Sequence, residues 1–264
     1  MRLLLAILTL LTVSVPGARA QPAPAAIESW SLERMSRMGQ AIAAQDRAAI
    51  AAGERLRHSF NGDDPPGLVG WIATAEGDTH RVRFLVASEG DLRAGWDVNV
   101  TRGRAGPVAT SSDTRLTADE RAQHAARRTA AANVGAERCG RYNVFALRDP
   151  DSNDWLVWLL ANANDLRTVP IDGHYRFRIS PDGSAVIRRD RLSTFCAMHP
   201  RSPNTVQMTL MRPGGTPPSE ALVYVSIMHG FPIAVENSPT TFVIIDGPDV
   251  TEVTPLNNRR RRSR

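Results

Sequence analysis

The segment His174-Tyr175-Arg176-Phe177-Arg178 sets an imidazole and two guanidiniums at every second position, and Arg188 returns beside them after Ser180-Pro181-Asp182-Gly183-Ser184. In a strand, alternate residues share a face, and guanidinium groups match phosphate or carboxylate bidentately. His174, Arg176, Arg178 and Arg188 are therefore expected to form an anion-binding stripe, against the plainer reading of a solvated face. A three-residue Pro-Asp-Gly loop would pair Phe177 with Ile187 and Ile179 with Ala185. The same register sets His174 opposite Asp190 and Arg176 opposite Arg188, an opposition of like charge that needs water or a bridging anion.

Other chemistry is sparser. Cys139 and Cys196 are the only cysteines, and an even pair in an exported chain is expected to form a disulfide. The rival is a metal site of Cys139, Cys196 and His199, weakened by having only one close ligand pair; no metal and no cofactor are expected. Asp149-Pro150-Asp151-Ser152-Asn153-Asp154 begins like a calcium loop, but Asp154 stands where glycine is needed and Leu160 where glutamate is needed. A solvated turn is the better reading. His80 and His229 fall on apolar strand faces, His229 in line with Val223, Val225 and Ile227, as hydrogen-bonded core or rim residues do.

No nucleophile elbow, zinc-protease helix, C-x-x-C or dinucleotide fingerprint occurs. All 32 basic residues are arginine, which excludes a Walker-type phosphate loop, a Schiff-base lysine and a Ser-Lys dyad. Triads assembled from distant segments leave no local motif, so a hydrolase with a dispersed His/acid site stays as the alternative to a binding role.

The formal net charge of +5 sits at the ends. Arg2, Arg19 and the tail Arg259, Arg260, Arg261, Arg262 and Arg264 supply it, and the body from Gln21 to Asn258 is close to neutral. A near-neutral body exerts no strong field on a polyanion. The tail alone supports at most a weak, sequence-indifferent polyanion contact that salt would weaken, against a solvated end.

The elements that must position these groups begin after residues 1–20. There Arg2, an apolar run from Leu3 to Val15 and Ala18-Arg19-Ala20 have the form of an export signal, too short to span a bilayer. The mature chain is expected in the periplasm or outside the cell. A long amphipathic helix is predicted over 28–58 from Leu32, Met35, Met38, Ile42, Ala49, Ala52 and Leu56, softened by Gly39 and Gly53. Period-two runs over 68–75, 80–87 and 92–101 predict a meander. Thr117-Ala118-Asp119-Glu120 is a capping box for a second helix to about Asn133, with Gly135 just beyond.

From Cys139 onward strands are predicted over 142–147, 155–161, 175–179, 185–189, 206–210, 221–228, 233–235 and 242–245. Trp155 to Ala161 is apolar on both faces and predicts a central strand covered on two sides. The expected organisation is a helix-and-meander region over 21–135, a β-rich region over 136–255 and a disordered Arg-rich tail over 256–264.

Ile171-Asp172-Gly173-His174-Tyr175-Arg176-Phe177-Arg178-Ile179-Ser180-Pro181-Asp182-Gly183, with Phe195-Cys196, resembles a stretch of uncharacterised exported bacterial proteins. The resemblance implies an envelope or secreted protein and assigns no activity. The expectation is an α+β fold: a long N-terminal helix, a small antiparallel sheet, a second helix and a larger, mainly antiparallel C-terminal sheet. Its role is that of a non-enzymatic binding or interaction module for an unknown protein or a small anionic ligand.

Overall fold

A computed structural model describes residues 26–88, 90–135, 138–163, 167–193, 195–202, 205–211 and 216–254. Residues 1–20, expected to be an export signal, and 256–264, the expected Arg-rich tail, lie outside the described residues.

Helix α1 (Leu32–Ser59) starts where Ser31 accepts the Arg34 N–H, with Glu33 in its first turn and Arg57 and His58 in its last, each sign opposing the helix dipole. Its apolar stripe serves two cores. Met38, Ile42 and Ala43 enter the central one, while Ala48, Ala52 and Leu56 pack on the meander β1 (Leu68–Glu76), β2 (Thr79–Ser88) and β3 (Asp91–Thr101), which the short β4 (Arg104–Ala105) and β5 (Ala109–Thr110) extend. Helix α2 (Ala118–Ala132) carries both hydrogen bonds of the capping box, Thr117 to Glu120 and back.

The second sheet joins β6 (Tyr142–Arg148), β7 (Trp155–Ala161), β9 (Tyr175–Ile179) and β10 (Val186–Arg191) in the order β10-β9-β7-β6, all antiparallel. Every residue of β7 is buried. Trp155, Val157 and Leu159 face Ala122, Ala126 and Ala130 of α2, and Leu156, Trp158 and Leu160 join the opposite core. The central strand expected from its double apolar faces is therefore present, with a helix layer supplying each cover.

On that opposite side lies α3 (Glu220–His229), where a strand was expected. Its run Ala221-Leu222-Val223-Tyr224-Val225 is buried throughout, with no polar face to reveal a period, so the pattern alone did not separate strand from helix. Gly230 ends it in the left-handed conformation, its N–H on the Ser226 carbonyl. The last sheet, β12 (Met208–Leu210), β13 (Ile233–Ser238), β14 (Thr241–Asp246) and β15 (Asp249–Val253), contributes Ile233, Val235, Val243 and Ile245 to the same core and has one parallel pair, β12 with β13. A two-stranded ribbon of β8 (Thr168–Pro170) and β11 (Met198–Pro200) completes the α+β architecture. Cys139 and Cys196 are joined by a disulfide, so their sulfurs are not a metal pair with His199. Residues from both sides of position 135 share the central core.

The meander sheet and the second sheet approach at their free edges, β1 against β6. Gln123 of α2 donates to the carbonyls of Ala73 (3.1 Å) and Ala146 (3.0 Å), and Gln45 of α1 reaches the same two oxygens at 3.4 Å. Two glutamines from opposite helices thus satisfy edge carbonyls that no neighbouring strand pairs.

Candidate functional site

The expected anion stripe is corrected in register and in exposure. A bulge between Val186 and Arg188 sets Arg178 opposite Arg188, Phe177 opposite Arg189 and Arg176 opposite Asp190, so the expected pairings Phe177 with Ile187 and Ile179 with Ala185 do not form. Ile187 is turned out to solvent. Arg176 now faces a carboxylate, and the like-charge opposition passes to Arg178 and Arg188, which are answered by Asp149, Asp154 and Asp190.

Arg176 is buried and bonds Asp190 Oδ2 at 2.8 Å, Glu220 Oε1 at 3.1 Å and the Glu28 carbonyl at 2.7 Å, beneath the Trp30 ring at 3.9 Å. Arg188 Nε takes the other Asp190 oxygen at 2.8 Å. Arg178 reaches Asp149 at 2.5 Å and Asp154 at 3.2 Å. His174 is buried, its Nδ1 accepting the Ala161 N–H at 3.0 Å. Each arginine of the stripe bonds a carboxylate, Arg176 and Arg188 sharing Asp190, and the positive charge expected to hold a ligand is neutralised within the chain.

The calcium-like loop finds its cations in the protein. Asp149 accepts from Arg34 (2.8 Å) as well as Arg178, and Asp151 also pairs with Arg34. Burial opposes the charge on Asp149, but the Arg178 bond, the Asp151 N–H and the Arg34 charge outweigh it, holding its carboxyl below the ordinary range. A parallel network lies on β2, where buried Arg83 bonds both Glu120 oxygens at 2.9 Å and Asp97 at 3.0 Å. Burial again opposes ionisation of Glu120, and the Thr117 N–H with Arg83 brings its pKa below normal.

Of the remaining histidines with an expected role, His80 is half-buried on β2 and is lowered in pKa by that burial. His229 is corrected from a strand face to the last residue of α3, and burial followed by the Arg201 charge lowers its pKa.

Arg127 of α2 breaks the pattern of the paired arginines. Its guanidinium lies 4.2 Å from the Trp71 ring and donates to the Trp71 carbonyl, and no carboxylate among the described residues comes within ion-pair reach. Loss of water brings its pKa down to about 10. It stands in a groove of about 340 Å³ where the β1 and β6 edges part, lined also by Asp46, Ile50 and Arg57 of α1 and by Asn143, Val144 and Phe145 of β6.

Asp46 is 7% exposed and accepts the Tyr224 hydroxyl at 2.7 Å. Burial raises its pKa, partly offset by the Tyr224 bond and the Arg47 charge; burial and the Asp46 charge in turn push the Tyr224 phenol up. Asn143 closes this side, its Oδ1 accepting from Asn162 at 3.2 Å. Apolar ring faces, an unpaired guanidinium and a buried carboxyl converge here, as they do in a ligand site.

Neither Asp46 nor Arg127 was among the expected site residues. The signal for Asp46 was present: with Gln45 it lies in phase with Ile42 on the buried side of α1, where polar residues need a reason. Arg127 carried no such signal, because Arg121, Arg127 and Arg128 are equivalent as letters and only tertiary packing selects one.

No protein-family model, curated protein or solved structure matches the chain.

Proposed function

We propose that the chain is a non-enzymatic binding module working in the periplasm or outside the cell, and that its ligand sets a carboxylate or phosphate on Arg127. The observation that carries this reading is the contrast among the arginines. Arg83, Arg176 and Arg178 are each neutralised by carboxylates, whereas Arg127, half-buried against Trp71, has none among the described residues. A guanidinium partly withdrawn from water without an anion is a burden on the fold, and an incoming carboxylate relieves it bidentately. Placement outside the cytoplasm is supported by the intramolecular disulfide and by the form of residues 1–20, and no described helix is long and apolar enough to cross a membrane.

The binding role is tested by calorimetric titration of the chain with a panel of small carboxylates and phosphate. Saturable binding is expected for at least one, and Arg127→Met is expected to weaken it about tenfold or more, since a bond to a charged group is worth about 1.5–3 kcal/mol. Equal binding by wild type and variant overturns the assignment.

A further inference from the structure

Arg127 accounts for only half of the groove's polarity. Asp46 lines the same groove, and its carboxyl receives one hydrogen bond among the described residues, from Tyr224. It forms no ion pair with Arg127 or Arg57, although all three line one cleft. Its single donor is neutral and the nearby Arg47 charge only partly offsets its burial, so Asp46 is short of positive charge just as Arg127 is short of negative charge. No ion pair joins Asp46 to Arg127 across the groove, so one ligand answers both by carrying opposite charges at its two ends.

The wall between strands adds a further constraint. β6 is an edge strand, and the Ala146 carbonyl points out of the sheet edge to the two glutamines. In an antiparallel pair the residue two positions earlier presents its main chain in the same direction, so Val144 offers its N–H and C=O to the groove it lines. Ile50 is 47% exposed there, and the rings of Trp71 and Phe145 lie 6.4 Å apart. Main-chain hydrogen-bonding capacity, apolar contact and opposite end charges together describe a peptide with free termini.

We infer that the groove takes a short apolar peptide, its C-terminal carboxylate on Arg127, its N-terminal ammonium on Asp46 and its main chain along the β6 edge at Val144. This rests on the binding role proposed above and names the ligand of the same site.

The test is calorimetric titration of the full chain with Val-Leu and Ala-Val-Leu, each with free termini, N-acetylated and C-amidated. A free-termini peptide is expected to bind saturably. Acetylation is expected to weaken it about tenfold or more in wild type but not in Asp46→Asn, and amidation to do the same in wild type but not in Arg127→Met. The capped peptides on wild type read the result without any variant having to fold. If amidation weakens binding and acetylation does not, the Asp46 assignment is overturned while the Arg127 reading stands. If the carboxylate panel binds and neither peptide does, the peptide inference falls alone; if nothing in either panel binds, both fall.

Discussion

At the residue scale the molecule contains two kinds of buried charge. Arg176 is held by Asp190 and Glu220, and its removal leaves two carboxylates buried with less compensation. Arg176→Met is therefore expected to destabilise the fold by about 3–5 kcal/mol, the usual penalty for breaking a buried pair from one side. Asp46 is the opposite case, because burial is the largest influence on its pKa and raises it. A carboxyl whose folded pKa exceeds the unfolded value of about 4 weakens the fold as pH rises through that interval, and the burden is absent in acid below it. Asp46→Asn keeps an acceptor for Tyr224 and removes the charge, so its stability gain over wild type should be small in acid and larger at neutral pH. Denaturant titration at the two pH values checks this; a loss at neutral pH would show that the carboxylate holds the fold together and is not kept for a ligand. His174, Arg176, Arg178 and Arg188 were legible as a cluster, but a sequence does not say whether a charge's partner is a ligand or a carboxylate on a remote strand.

At the scale of elements, two glycines of α1 separate packing from propensity. A Cβ on Gly39 would lie 2.5 Å from the Val223 side chain and 2.9 Å from the Glu220 carbonyl, whereas nothing lies within 4 Å of one on Gly53. Gly53→Ala should stabilise the chain by about 0.5–1 kcal/mol through helix propensity. Gly39→Ala gains the same propensity but forces α1 from α3, and overpacking of about 1–3 kcal/mol is expected to win. Opposite shifts in the thermal midpoint are the measurement, and equal shifts would mean that the α1–α3 crossing yields easily. The sequence marked both glycines as soft points of one helix. It showed α1, α2 and the meander through clear periods and a capping box, and it missed α3 because an element apolar on every side displays no period.

At the scale of the whole molecule, the disulfide ties the segment before β6 to the one before β11, 57 residues apart. Replacing Cys139 and Cys196 by serine together should cost about 2–5 kcal/mol, read as a lower denaturant midpoint that added reductant no longer changes. An unchanged midpoint would place the stability in the shared cores instead. The α+β class, the doubly covered β7, the Cys139–Cys196 pair and most strands were determined by the sequence itself, because alternation, capping chemistry and cysteine count are local or compositional properties. Only the tertiary structure decided the register at the β10 bulge, the helix at α3 and the meeting of β1 with β6. It also decided which charges are answered from within the chain. The physical reason is one of range: hydrophobic period acts over a few residues, whereas Asp190 and Glu220 reach Arg176 and Tyr224 reaches Asp46 only after distant segments have packed.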